Sequence, residues 1–82
     1  MKKVYVLEIR HYDTYYHEGA SVTVFRKQDK AIDEMYKYLR EIYYSSMDED
    51  MKAYFDECAA ERVQFFEWPC VFDADVWETY LV

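Results

Sequence analysis

The hydrophobic period of this chain changes twice along its length, which limits it to a fold with strands at both ends and helices in the middle. Val4–Arg10 alternates, with Tyr5, Leu7 and Ile9 on one face and Val4, Val6, Glu8 and Arg10 on the other. That is the two-residue period of a strand. Ala20–Arg26 repeats it, with Val22 and Val24 opposite Thr23 and Phe25. The connection from Tyr12 to Gly19 is longer than a tight hairpin turn and holds the only glycine, the residue that takes a positive φ most easily.

From Asp29 the period lengthens. Ile32, Met35, Leu39 and Ile42 recur at three and four residues, with Tyr36 and Tyr43 beside them. This spacing predicts a helix capped by Asp29 and running to about Ser45. Ser46-Met47-Asp48-Glu49 matches a capping box, a hydroxyl cap with Glu three residues on. It predicts a second helix whose apolar stripe is Met51, Tyr54, Phe55, Cys58 and Ala59. Val63 and Phe66 would continue the helical period, but Pro69 disfavours helix at Trp68. The helix is therefore expected to end near Glu61, with Val63–Val71 mostly extended. Phe72-Asp73-Ala74-Asp75 predicts a turn and Val76–Val82 a last strand. Its apolar end, Leu81-Val82, places that strand inside the sheet or against another subunit.

The expected fold is α+β, one small domain over residues 1–82. An antiparallel sheet carries two helices on one face, in the order β-β-α-α-β-β. With 52% hydrophobic residues, one Gly and one Pro, the composition is that of a folded domain with no linker or disordered tail. No apolar run approaches the roughly 18–20 residues of a membrane span, and Val4–Leu7 is too short for the core of an export signal. A cytoplasmic protein without membrane contact is expected, with Cys58 and Cys70 both reduced.

Catalytic patterns do not emerge. His11 and His17 flank the first loop, with Asp13 and Glu18 nearby, but no pair has the spacing of a structural zinc site. Asp73-Ala74-Asp75 lacks the further oxygen ligands of a calcium loop. No serine sits in a Gly-x-Ser-x-Gly elbow, the cysteines have no adjacent base, and one glycine cannot build a phosphate-cradling loop. No enzyme, cofactor or metal is expected.

Charge is the informative remainder. Residues 1–40 carry eight Lys/Arg against six Asp/Glu, whereas residues 41–82 carry two against eleven. Lys2, Lys3, Arg26, Lys27 and Lys30 could gather at one end, yet the acidic half would repel phosphate over a Debye length of roughly 8 Å, so direct nucleic-acid binding is not expected. On the second helix Glu49 and Asp56 fall near one edge of the polar side, and Asp50, Glu57 and Glu61 near the other. Carboxylates about 6 Å apart along a helix approximate the spacing of backbone phosphates. Such a face would fit a basic protein surface made for nucleic acid, with Tyr15, Tyr16 and Tyr44 among the ten tyrosines as aromatic anchors at its rim.

In size, acidity, aromatic richness, the carboxylate helix (Glu49, Asp50, Asp56, Glu57, Glu61) and the lack of catalytic motifs, the chain resembles the small acidic phage-encoded inhibitors of bacterial defence. These include anti-CRISPR and other nucleic-acid-mimicking proteins. The resemblance is of type, without a shared motif, and the basic first half departs from a fully acidic mimic. It implies an inhibitor or regulator of a basic, nucleic-acid-handling partner. The competing expectation is a structural or self-association module, a homodimer formed through the tyrosine-rich surface and the C-terminal strand.

Overall fold

In a computed structural model, residues 2–12 and 19–82 are described. They form four antiparallel strands, β1 (Lys2–His11), β2 (Gly19–Phe25), β3 (Phe65–Trp68) and β4 (Phe72–Leu81), and two helices, α1 (Gln28–Tyr43) and α2 (Glu49–Glu61). A short 3-10 turn, Tyr44–Ser46, separates the helices. The sheet order is β2-β1-β4-β3. The expected α+β architecture and its β-β-α-α-β-β order are what the structure shows. β4 lies between β1 and β3; Phe72–Asp75 are paired on both edges, whereas Trp77–Leu81 pair with β1 alone because β3 has only four residues.

Alternation decides which side of the sheet meets the helices. Leu7 and Ile9 of β1, Phe66 of β3, and Phe72, Ala74 and Val76 of β4 enter the core cluster. They meet Ile32, Met35, Tyr36 and Leu39 of α1 and Phe55 and Cys58 of α2. Aromatic rings link these layers. Phe55 packs edge-on against Tyr36, Tyr44 and Phe66 at 5.5, 5.5 and 5.2 Å. Phe66 stacks on Phe72 at 5.8 Å, and Phe72 on Tyr43 at 4.3 Å. The buried hydroxyl of Tyr36 donates to the Val63 carbonyl at 2.6 Å, and burial raises its pKa above the ordinary tyrosine value.

Several boundaries differ from the sequence expectation. α1 begins at Gln28 with Lys27 at the N-cap position, so Asp29 sits in the first turn and does not cap the helix. The cap of α2 is Asp48, whose carboxylate accepts from the Met51 amide at 2.8 Å; Ser46 belongs to the 3-10 turn. A carboxylate at that position offers the same acceptor as the expected hydroxyl and adds favourable charge at the helix N-terminus. α2 ends at Glu61 as expected, because Arg62 turns left-handed (φ 57°). The amides of Arg62 and Val63 then close on the carbonyls of Ala59 and Cys58. Ile42 and Tyr54, expected on apolar stripes, are about half exposed.

The last turn lies four residues earlier than expected. Phe72–Asp75 is strand: Phe72 and Ala74 point into the core, and Asp73 and Asp75 to the other face. The chain reverses at Trp68-Pro69-Cys70-Val71, where the Val71 amide donates to the Trp68 carbonyl at 2.9 Å. Proline second and a positive φ third (Cys70, 67°) are the pattern of a type II turn, which normally places glycine where Cys70 stands. Cys58 and Cys70 are both free thiols, one buried and one exposed.

Phe55→Ala should cost about 3–5 kcal/mol in urea unfolding, because the ring is wholly buried among three others. Ile42→Ala, at a half-exposed position, should cost less than about 1 kcal/mol in the same assay. Cys70→Gly should stabilise the fold by ~0.5–1 kcal/mol, read from the same transitions, as it relieves a left-handed β-carbon clash.

Candidate functional surface

α2 is held to the domain by one side only. Phe55 and Cys58 are buried, while Glu49, Asp50, Ala53, Asp56, Glu57, Ala60 and Glu61 face water. The five carboxylates singled out in the sequence are therefore all exposed, but tertiary structure sorts them into two groups.

Asp56 is committed to the contact between the helices. It accepts from Arg40 of α1 at 3.2 Å and from the Tyr44 hydroxyl at 2.7 Å. The Arg40 guanidinium in turn lies over the rings of Tyr44 (4.7 Å) and Phe55 (5.0 Å), and the Lys52 ammonium lies 5.4 Å from the Tyr44 ring. The hydrogen bond to Asp56 pushes the Tyr44 hydroxyl pKa up. Tyr44, expected as a rim anchor, thus joins α1 to α2. Tyr15 and Tyr16 lie outside the described residues, as do Asp13, His17 and Glu18.

Glu49, Asp50, Glu57 and Glu61 make no ion pair among the described residues. The three cations that could relieve them are engaged elsewhere, Lys52 beside the Tyr44 ring. Arg40 is on Asp56. Arg62 reaches back to α1, with 2.6 Å to Asp33, 3.5 Å to the Asp29 carboxylate and 2.9 Å to the Asp29 carbonyl. Asp50, Glu57 and Glu61 are seven and four residues apart, so they form one row about 16 Å long on the helix surface.

Sequence reasoning missed an aromatic residue in that row. Tyr54 lies four residues after Asp50 and three before Glu57, on the same stripe. Its ring rests on Phe66 at 5.4 Å while half of it stays in water. Hydrogen bonding to Cys58, then burial and the nearby Glu57 and Glu67 carboxylates, pushes the hydroxyl pKa up. The helical spacing had placed Tyr54 with the core stripe. Its position at the edge of that stripe, next to Glu57, was the available signal.

Two other charged groupings lie on the sheet. Arg10 is clasped by Asp73 at 2.5 Å, Glu8 at 3.0 Å and Asp75 at 3.6 Å, and the Tyr12 hydroxyl donates to Asp73 at 2.6 Å. Burial would lower the guanidinium pKa, but the bonds to Glu8 and Asp73 outweigh it and raise the value. Asp75 Oδ1 is buried without a hydrogen-bond partner among the described residues. At the other end Lys2, Lys3 and Arg26, three of the five expected basic residues, line an open groove of about 560 Å³. His11 sits against Tyr38 and Tyr43, its Nδ1 hydrogen-bonded to the Tyr43 hydroxyl.

Among the described residues no group of three or more His, Cys, Asp and Glu is arranged to hold a metal ion. No helix there is long and apolar enough to cross a membrane. The chain matches no family model, no curated protein and no solved structure.

Neutralising the C-terminal part of the row (Glu57→Gln, Glu61→Gln) should leave the stability unchanged or raise it by up to ~0.5 kcal/mol, since like charges four apart repel. Thermal unfolding in low salt is the check.

Proposed function

We propose that this chain is a non-enzymatic binding protein, acting in the cytoplasm, that inhibits or regulates a basic, nucleic-acid-handling protein. The contact surface is the Asp50–Tyr54–Glu57–Glu61 row of α2, with Glu49 at the other edge of the helix's polar side. The observation that supports this reading is that, among the described residues, Glu49, Asp50, Glu57 and Glu61 lie exposed on one helix without an ion pair, whereas Asp56 of the same helix is paired with Arg40. A face this negative at Glu57 and Glu61, in the C-terminal half of α2, does not serve helix stability. It does create a field that steers a cationic surface toward it. Tyr54 supplies the desolvated aromatic contact that charge alone lacks.

The rigidity of the support matters as much as the charge. Phe55 and Cys58 fix α2 from beneath, so the carboxylates are presented without much loss of backbone entropy on binding. The spacing along the row, about 6 Å between Glu57 and Glu61, is close to that of phosphates along a nucleic-acid strand. A protein groove shaped for phosphates therefore meets charges where it expects them. This is the behaviour that resemblance to small acidic anti-defence proteins implies.

The test is capture of basic proteins from bacterial lysate at low salt, followed by affinity measurement on the purified partner. Reversal to Lys at Asp50, Glu57 and Glu61 should weaken binding by about tenfold or more, and double-stranded DNA should compete. The same reversal at Asp56 should weaken it less, because that carboxylate already faces Arg40. Binding that ignores charge reversal and salt would overturn the proposal.

A further inference from the structure

The helices cover one face of the sheet. Among the described residues no element covers the other. On that open face Val22, Val24, Phe65, Trp77 and Leu81 are exposed by 60, 53, 46, 43 and 54%. They frame Val4 and Val6 of the central strand, which are buried although no helix lies over them. Apolar side chains scattered singly over a surface need no explanation, but five on one face do.

The open face also has electrical polarity along the strands. At one end three carboxylates (Glu8, Asp73, Asp75) surround the single Arg10, a net of −2 for these four side chains. At the other end Lys2 and Arg26 line the groove beside Val4, Val24 and Leu81. Midway runs a rung of register partners, Val24–Val6–Trp77, across β2, β1 and β4. On β1, Lys2 and Arg10 each lie four residues from Val6, on opposite sides.

This arrangement is self-complementary. A twofold axis above the open face, parallel to the rung and perpendicular to the strands, stacks a second copy face to face. The basic end of each copy then lies over the acidic end of the other, with Lys2 above Arg10 and the three carboxylates that outweigh its charge, and Trp77 meets its own counterpart near the axis. An axis parallel to the strands would instead stack like charge on like charge. We infer that the chain forms a homodimer through its helix-free sheet face, about an axis parallel to the Val24–Val6–Trp77 rung. The contact is isologous, as twofold interfaces are, and resembles the two layers of a β-sandwich. Roughly 500 Å² of sheet is available on each copy, and about 1,000 Å² for the pair reaches the lower bound for a specific interface. Both α2 rows remain on the outside of the dimer, facing away from each other. The assembly is independent of the reading given to α2, and would make that surface bivalent.

Sedimentation velocity over a range of concentrations tests this, with circular dichroism to confirm folding. The wild type should sediment as a dimer. Trp77→Lys and Val24→Lys, each at a half-exposed position, should give folded monomers. The pair Lys2→Glu and Arg26→Glu touches only exposed side chains, so it serves even if an apolar position rejects lysine. It should weaken the dimer by about tenfold or more. A wild type that remains monomeric at the highest attainable concentration would overturn the inference. So would a dimer that survives all of these substitutions, which would place the contact at the free edge of β2, at the free edge of β4 beyond β3, or on the helices.

Discussion

Phe55, Phe66 and Phe72 form the contact on which the remainder of the fold rests. The three rings come from α2, β3 and β4 and are wholly buried, and they meet at 5.2 and 5.8 Å. β3 has only four residues, too few for backbone pairing alone to hold it at the sheet edge. Phe66 supplies what the ladder cannot, by inserting between the helix above and Phe72 beside it. Tyr43 stacks on Phe72 from the end of α1, so one aromatic chain ties both helices to the C-terminal hairpin. With 82 residues there is little other apolar volume to share this work.

Because packing holds α2 from one side, its outer surface is released from structural duty. The charge distribution follows from that division. Cations in this chain are used where elements meet: Arg10 binds acids across β1 and β4, Arg40 joins α1 to α2, and Arg62 joins the end of α2 to the start of α1. Each of these contacts spans a junction that hydrophobic packing leaves open to water. Four of the carboxylates beyond their reach, Glu49, Asp50, Glu57 and Glu61, lie together on α2 without an ion pair among the described residues. The sheet is divided in a comparable way, with a packed face under the helices and an open face that keeps its valines and Trp77 at the surface. A helix-borne acidic row and a polar-ended apolar face are thus separate surfaces on opposite sides of the domain.

Much of the architecture was legible in the sequence because periodicity is a local property. Leu7 and Ile9 alternate with Val6 and Glu8 whatever the rest of the chain does, and Met35 and Leu39 share a helix face for the same reason. Boundaries were less legible where two local signals competed. Asp73 and Asp75 carry turn chemistry, yet Phe72 and Ala74 between and before them belong to the core, and burial of those two residues won. Ser46 and Asp48 could each cap a helix, and the chain uses the one that places Phe55 inward. The cysteine at 70 hid the true turn, since glycine is the residue that marks a positive φ.

The sequence by itself determined the order of elements, the single domain and the acidic surplus of the second helix, since each depends only on neighbours along the chain. Tertiary structure alone decided which acids are free. Asp56 is neutralised by Arg40 sixteen residues away, and Asp73 by Arg10 sixty-three residues away, whereas Asp50, Glu57 and Glu61 face only water. It also decided that Tyr44 serves the helix junction and Tyr54 the surface, and that the C-terminal strand lies inside the sheet. Charge pairing and exposure depend on what packing brings within a few ångströms, and no local period records that distance.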